Sequence, residues 1–138
     1  MNILNKIKAL LKTGYTDKPL INPQNRLIIV PKDLVAMEAL DYDKADDEQL
    51  IIMPLNEKEF NLLFYNRVFN LINDLGEIII DDFEDDQVTD KAKLIKIEQA
   101  LISVKNKQKG KQIETILEKL INLFSEAIQR NTGVYFYF

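Results

Sequence analysis

The densest group of side chains that could do chemistry is a run of carboxylates in the middle of the chain. Five of the six residues from Asp81 to Asp86 are acidic, and Asp74, Glu77 and Asp90 flank them. Carboxylates bind hard divalent cations, and they also bind the Lys and Arg side chains of another protein. The run therefore has three interpretations: a solvated helix end, a divalent-metal site, or a surface for a basic partner.

The distribution of charge along the chain favours the third interpretation. Residues 33–86 contain 16 Asp or Glu against 3 Lys or Arg, which leaves a net charge of −13 in a protein whose overall charge is −4. Residues 1–32, with 6 basic and 1 acidic, carry +5, and residues 87–138, with 9 basic and 5 acidic, carry +4. Like charges at helical spacing repel by about 0.2–0.5 kcal/mol per pair. Charges sorted in this way predict a basic protein partner.

We predict that the binding surface combines the acidic run with two apolar residues among the acids. No basic residue occurs from Val68 to Asp90, so nothing nearby in the sequence neutralises these carboxylates. Ile80 and Phe83 are the candidate apolar centre, because a few buried apolar residues carry most of the energy of a protein interface. The candidate partner-binding residues are Asp74, Glu77, Ile80, Asp81, Asp82, Phe83, Glu84, Asp85 and Asp86.

The composition gives little support to catalysis. The chain has no Cys and no His, which excludes disulfides, thiolate nucleophiles, His-ligated metals and Ser-His-Asp triads. Four glycines form no Gly-rich phosphate-binding motif. The segment Asp41–Asp43 resembles the start of a calcium loop, but Ala45, Asp46 and Ile52 occupy its later key positions. We predict a protein that is not an enzyme and has no catalytic residues, metal ligands or cofactor.

Two alternative functions stay open. The first is a carboxylate site that binds two metal ions and hydrolyses phosphates, with Asp81, Asp82, Asp85 and Asp86 as the metal ligands. A single continuous run of residues cannot direct all its carboxylates at one point, which weakens this alternative. A phage-type acidic mimic of nucleic acid that inhibits a host enzyme would share the charge pattern. Direct binding of nucleic acid by the lysines of residues 105–111 is disfavoured, because the neighbouring acids repel phosphate.

Hydrophobic spacing predicts an α+β fold in a single domain of residues 1–138. Apolar residues three and four apart predict helices at residues 3–12, at 31–40, from Asn56, from about Asp90 and from about Lys111. Short apolar runs predict strands at residues 26–30, 50–53 and 134–138. We expect three to five helices, the main ones forming a layer, against a small sheet of two to three strands in which the C-terminal strand lies beside residues 26–30. The phenylalanines predicted to lie in the core are Phe60, Phe64, Phe69 and Phe83.

Gly76 leaves the segment after it ambiguous. It could end the helix and let Glu77–Asp81 form a strand, or it could lie inside a longer helix at a cost of about 1 kcal/mol relative to Ala. We favour the longer helix, because it aligns Ile79 and Phe83 with the preceding apolar face. This interpretation leaves Ile80 exposed among the acids.

Hydropathy predicts a protein without a membrane span. No segment approaches the roughly 20 consecutive apolar residues that cross a bilayer. Residues 1–12 interleave lysines with apolar residues, whereas a signal peptide has an uninterrupted apolar stretch. We expect a cytoplasmic protein that does not bind membranes. The oligomeric state is open, because an aromatic terminal strand could pair across a dimer.

Three segments between about Asn56 and the C-terminus follow one another in a recognisable order. They are a Phe/Leu-rich helix at Phe60–Asp74, the acidic run Asp81–Asp86 and the tail Asn131–Phe138. This order resembles immunity proteins of bacterial contact-dependent growth inhibition systems. The resemblance implies a small cytoplasmic protein that binds and neutralises the toxic C-terminal domain of a delivered effector. Many such toxins are nucleases with basic active-site surfaces, which an acidic surface would engage by imitating the spacing of phosphates.

Overall fold

A computed structural model describes residues 26–80 and 85–138. Over these residues the protein is α+β, with five α-helices against a four-stranded antiparallel sheet. The predicted fold class and the C-terminal strand are confirmed, and the sheet has one strand more than expected. The helix predicted at residues 3–12 and the residues 81–84 lie outside the described residues.

The order of the elements along the chain follows the hydrophobic pattern closely. They are β1 (Arg26–Pro31), α1 (Leu34–Asp41), a short 3-10 helix (Asp47–Gln49), β2 (Leu50–Leu55), α2 (Glu57–Tyr65), α3 (Val68–Gly76), β3 (Asp86–Val88), α4 (Lys91–Lys107), α5 (Ile113–Arg130) and β4 (Val134–Tyr137). Among the described residues, no helix combines the length and the apolar character that crossing a bilayer requires.

The sheet has the strand order β2-β1-β4-β3, so the C-terminal strand lies in its interior. Ile28 of β1 faces Phe136 of β4, which confirms the predicted pairing of these two strands. Phe136 also faces Asp86 of β3 on the other side. The strand β3 was not predicted, because three residues that begin with an acid show no hydrophobic alternation. β2 is the outermost strand next to β1 and carries Pro54 near its end.

The two faces of the sheet are buried in different cores. One face packs under α2 to α5, with Phe136 and Phe124 fully buried between sheet and helices. On the other face Ile29 and Tyr135 pack against Leu40 of α1. Side chains alternate between the faces of a strand, so neighbours in β4 enter different cores. The predicted division of the C-terminal residues between two faces is therefore confirmed.

The helical stretch that begins after Asn56 is divided into two helices. The side chains of Asn56 and Glu59 each accept a hydrogen bond from the other residue's backbone N–H, at 2.7 and 3.0 Å, which confirms the capping box. Arg67 has a left-handed φ of 60° and separates α2 from α3. Glu77 has a left-handed φ of 55° and α3 ends at Gly76. The favoured helix through residue 83 is therefore wrong, and residues 78–80 form neither helix nor strand.

Candidate functional site

The structure describes part of the candidate partner-binding surface. Asp74, Glu77 and Asp85 are exposed, Asp86 is half-buried, and Ile80 is buried. The remaining candidates lie outside the described residues: Asp81, Asp82, Phe83 and Glu84. Asp74 and Glu77 lie at the end of α3, and Asp85 and Asp86 lie at the start of β3. The described acids therefore stand on both sides of one connection between a helix and a strand.

Ile80 is not an exposed apolar centre. Its side chain is only 3% exposed and belongs to the main core, whereas that of Ile79 is 71% exposed. The predicted exposure of these two residues is reversed, because α3 ends at Gly76 and the helical phase is lost beyond it. Ile80 therefore offers almost no side-chain surface to a partner and lines only the inside of a cleft, whereas most of the Ile79 side chain is exposed.

Asn73 holds the backbone of the segment that follows α3. Its Oδ1 accepts a hydrogen bond from the N–H of Ile80 at 2.6 Å, and its Nδ2 donates to the carbonyl oxygen of Ile80 at 2.9 Å. Asp86 Oδ2 accepts from the N–H of Ile79 at 2.8 Å. The irregular backbone is therefore satisfied by side chains in place of a helix or a strand. The role of Asn73 was not predicted, because a helical asparagine gives no indication of a partner seven residues further along.

Two of the predicted acids have structural partners. Asp85 Oδ1 accepts a hydrogen bond from the N–H of Phe138 at 3.0 Å, just beyond the end of β4. Asp86 accepts from Gln87 N–H at 2.9 Å as well as from the segment after α3. These carboxylates bond to different parts of the backbone and do not converge on one point. Within residues 26–80 and 85–138, no group of three or more acidic side chains is placed to hold a metal ion.

Glu77 has a basic neighbour contributed by another helix. Lys93 Nζ of α4 lies 2.8 Å from Glu77 Oε2. The hydrogen bond from Lys93 and its positive charge lower the pKa of Glu77, and the same hydrogen bond raises the pKa of Lys93. No basic residue lies near Glu77 in the sequence, but Lys93 reaches it because α4 is distant in sequence and adjacent in space. An exposed pair of this kind adds little to stability.

Acids from two distant parts of the sequence approach the tyrosines of β4. The hydroxyl of Tyr135 donates a hydrogen bond to Asp41 Oδ1 at 3.0 Å. Burial first, and then Asp41, raises the pKa of Tyr135. Burial also raises the pKa of Tyr137, with the negative charges of Asp85, Asp41 and Asp43 adding to the effect. Acids from the end of α1 and from the start of β3 therefore lie near the same end of the sheet.

A cleft of about 640 Å³ opens between α2, α3 and the segment after α3. Its walls include Phe60, Phe64, Tyr65, Arg67, Asn70 and Ile79. The ring centroids of Phe60 and Phe64 are 5.9 Å apart, and those of Phe64 and Tyr65 are 5.3 Å apart with the rings edge to face. Phe64 is 43% exposed, so it lines this cleft and is not the core residue that its spacing predicted. Phe60 and Phe69 are buried as predicted.

The substitution Asn73→Ala is expected to lower the free energy of unfolding by about 1–3 kcal/mol, because both backbone polar groups of Ile80 lose their partner. Denaturant unfolding followed by circular dichroism measures the change. Asn70→Ala is the matched control, since Asn70 is an exposed asparagine of the same helix, and it should change stability by less than about 0.5 kcal/mol. Equal stability of the two variants would contradict the anchoring role of Asn73.

No protein-family model, curated protein or solved structure matches the chain.

Proposed function

We propose that the protein is an immunity protein, which binds the toxic C-terminal domain of a contact-dependent inhibition effector and neutralises it. The observation that carries the proposal is the net charge of −13 over residues 33–86. The fold supports it, because acids of two separate stretches lie at the C-terminal strand: Asp41 bonds to the hydroxyl of Tyr135, and Asp85 bonds to the N–H of Phe138. The partner is a basic domain, and a nuclease has the basic active-site surface that such acids would cover.

Long-range attraction gives this arrangement a kinetic role. Surface potential of one sign steers an oppositely charged partner and raises association rates toward about 10⁸–10⁹ M⁻¹s⁻¹ at low salt. Exposed charges are screened beyond about 8 Å at physiological ionic strength. Association with the toxin domain should therefore slow steeply as salt is added, and a rate independent of salt would contradict steering.

Not every acid of the surface is suitable for testing this role. Asp85 and Asp86 bond to backbone N–H groups, so their reversal would change the fold together with the charge. Asp74 is exposed at the end of α3 and has no such bond within the described residues. Reversing Asp74 together with Asp82 changes the net charge of residues 33–86 by four units and removes none of the hydrogen bonds described above.

The double variant Asp74→Lys/Asp82→Lys is expected to associate with the toxin domain at least about tenfold more slowly at low salt, with a weaker dependence on salt. The double variant Glu98→Lys/Glu118→Lys, which changes the same charge on α4 and α5, should retain the native association rate. Stopped-flow mixing measures both rates, with the C-terminal domain encoded by the adjacent upstream reading frame as the probe. If both double variants associate equally slowly, the net charge of the protein and not the position of the acids determines the association rate.

Neutralisation itself is tested in cells. Expression of the upstream-encoded C-terminal domain alone should stop growth, and co-expression of this protein should restore it. The Asp74→Lys/Asp82→Lys variant should restore growth less well than the Glu98→Lys/Glu118→Lys variant at equal expression. If the domain neither binds the protein nor is neutralised by it, the proposed function is wrong.

A further inference from the structure

We infer that the outward face of α1, formed by Leu34, Val35, Glu38 and Tyr42, is the centre of the surface that holds the basic partner. The inference rests on the proposed function and names the contact that keeps the complex together. This α1 face takes the place predicted for Ile80, which offers almost no side-chain surface. Its four residues all lie in the part of the chain that the structure describes.

The α1 face exposes three large apolar side chains. Leu34 is 64% exposed and Val35 is 70% exposed, and Tyr42, the residue directly after the helix, is 69% exposed. With 3.6 residues per turn, these side chains and that of Glu38 lie within an arc of about 100°. Leu40 lies on the opposite side of the helix, where it packs against the sheet. The apolar group therefore faces away from the sheet.

The helix lacks the polar outer side of an ordinary surface helix. Six of its eight residues are apolar, and Glu38 and Asp41 are its polar residues. Surface helices normally direct charged residues outward, and a helix that is apolar on all sides is normally buried. Apolar residues exposed singly are ordinary, whereas a contiguous group marks an interaction site. A protein that covers the α1 face supplies the second apolar contact that this composition suits.

Exposed acids stand at both ends of the α1 face and in its middle. Glu38 lies within it, and Asp43 follows Tyr42 directly in the chain. At the other end, Lys32, two residues before α1, donates its N–H to the carbonyl oxygen of Gln49 at 2.9 Å. Gln49 is the last residue of the 3-10 helix, whose other two residues are acids. Carboxylates therefore border the apolar group along its whole length.

Most of these carboxylates are available to a partner. Residues 33–48 contain seven acids and one lysine, a net charge of −6. Asp33 caps α1, and Asp41 accepts a hydrogen bond from Tyr135. Exposed acids whose side chains have no hydrogen bond or ion pair within the described residues are Glu38, Asp43, Asp47 and Glu48. Lys and Arg residues would pair with them, whereas a second copy of the chain would bring the same negative charge and be repelled.

The partner surface that fits is an apolar patch bordered by Lys and Arg. Protein interfaces combine an apolar and aromatic centre with a polar rim, and tyrosine is among the residue types that most often dominate the binding energy. The rim acids of the α1 face, together with the more distant acids of residues 33–86, attract the partner. Contact with Leu34, Val35 and Tyr42 then slows its dissociation.

Paired substitutions in the full chain test the α1 face. Leu34→Ala/Tyr42→Ala should keep the native melting temperature, because both side chains are exposed. It should raise the dissociation rate of the upstream-encoded C-terminal domain by at least about tenfold, as measured by surface plasmon resonance. Ile102→Ala/Tyr65→Ala is the matched control, which removes an aliphatic and a tyrosine side chain that are 41% and 77% exposed on α4 and α2. The control should dissociate at the native rate.

Amide shifts locate the contact independently of these variants. When the same domain is added to the isotope-labelled full chain, the largest NMR shifts are expected at Leu34, Val35, Glu38 and Tyr42. Largest shifts on α4 or α5 would overturn the inference. If the domain binds tightly and Leu34→Ala/Tyr42→Ala dissociates at the native rate, the inference fails and the proposed function stands. If the domain does not bind at all, the proposed function fails and the inference fails with it.

Two other occupants of the α1 face would also overturn the inference. A second copy would be shown by a native protein that sediments as a dimer and a Leu34→Ala/Tyr42→Ala variant that sediments as a monomer. The N-terminal segment would be shown by altered amide shifts of Val35 and Tyr42 in the free full chain that carries Ile7→Ser/Leu11→Ser. We expect the native protein and the variant to sediment alike, and these shifts to stay unchanged.

Discussion

Replacement of Phe136 by alanine is expected to lower the free energy of unfolding by about 3–5 kcal/mol. The Phe136 side chain is fully buried, and its ring centroid lies 6.4 Å from that of Phe124 and 5.8 Å from that of Phe138. Its strand β4 is paired on both sides, so the backbone cannot move inward to fill the cavity. Denaturant unfolding followed by circular dichroism measures the loss.

A surface aromatic of comparable size serves as the control for this variant. Tyr65 is 77% exposed, and Tyr65→Ala should change stability by less than about 0.5 kcal/mol. Deleting residues 134–138 is the more severe test, because it removes the strand that joins β1 to β3. The truncated chain should show no cooperative unfolding transition. Native-like melting of that chain would contradict the position of β4 inside the sheet.

The substitution Gly133→Ala is expected to lower the free energy of unfolding by about 1–3 kcal/mol. An added Cβ at Gly133 would lie 2.7 Å from the carbonyl oxygen of Val88 and 2.8 Å from Thr89 Cγ2. Relieving these contacts requires the backbone after α5 to move away from the end of β3. That movement would weaken the pairing of Val88 with Val134. Thermal unfolding of the variant gives the size of the effect.

Gly76→Ala is the matched control for Gly133→Ala. A Cβ at Gly76 would meet side-chain atoms, Val88 Cγ2 at 3.1 Å and Ile97 Cδ1 at 3.4 Å, which can shift by a few tenths of an ångström. Alanine in a helix is also favoured over glycine by about 1 kcal/mol, which offsets the closer packing. Gly76→Ala should therefore cost clearly less than Gly133→Ala. Equal losses would show that close approach of the backbone at Gly133 is not the cause.

The regular elements could be predicted where local pattern and tertiary packing agree. The strands β1 and β2 are apolar runs bounded by prolines and acids, and α4 and α5 have long apolar stripes, so their predictions are confirmed. The errors occur where the backbone departs from the local pattern. Arg67 adopts a left-handed conformation that non-glycine residues seldom take, so nothing in the local pattern indicates the break between α2 and α3. The end of α3 at Gly76 is one of two alternatives, and the pattern of apolar residues favours the other.

In the candidate surface, too, some properties follow from the local sequence and others depend on contacts between residues far apart in the sequence. Its acidity follows from counting residues, but the role of each carboxylate depends on contacts that the sequence does not reveal. Asp85 bonds to Phe138, which is 53 residues away, and Glu77 pairs with Lys93 of α4. The exposure of Ile79 depends on where α3 ends. A sequence can therefore predict the charge of this surface better than its apolar contacts.

The outer side of β2 can be described group by group. Lys32 donates its N–H to the carbonyl oxygen of Gln49 at 2.9 Å, so these two residues continue the pairing of β1 with β2 as a hydrogen-bonded pair. Hydrogen-bonded and non-hydrogen-bonded pairs alternate along antiparallel strands, and Leu50, Ile52 and Pro54 belong to non-hydrogen-bonded pairs. The backbone groups of Leu50, Ile52 and Pro54 therefore face away from β1. Leu50 donates its N–H to the carbonyl oxygen of the 3-10 helix residue Asp47, and Pro54 has no N–H.

The outward-facing backbone groups of β2 determine whether folded chains can associate through this strand. β2 is a run of six apolar residues at the edge of the described sheet, and an unprotected strand of this kind invites edge-to-edge aggregation. Within the described residues, Ile52 is the position in β2 whose N–H is directed outward and not already used. An incoming strand would find one free N–H where three alternate residues of a strand without proline would offer three, so extension of the sheet at β2 is disfavoured.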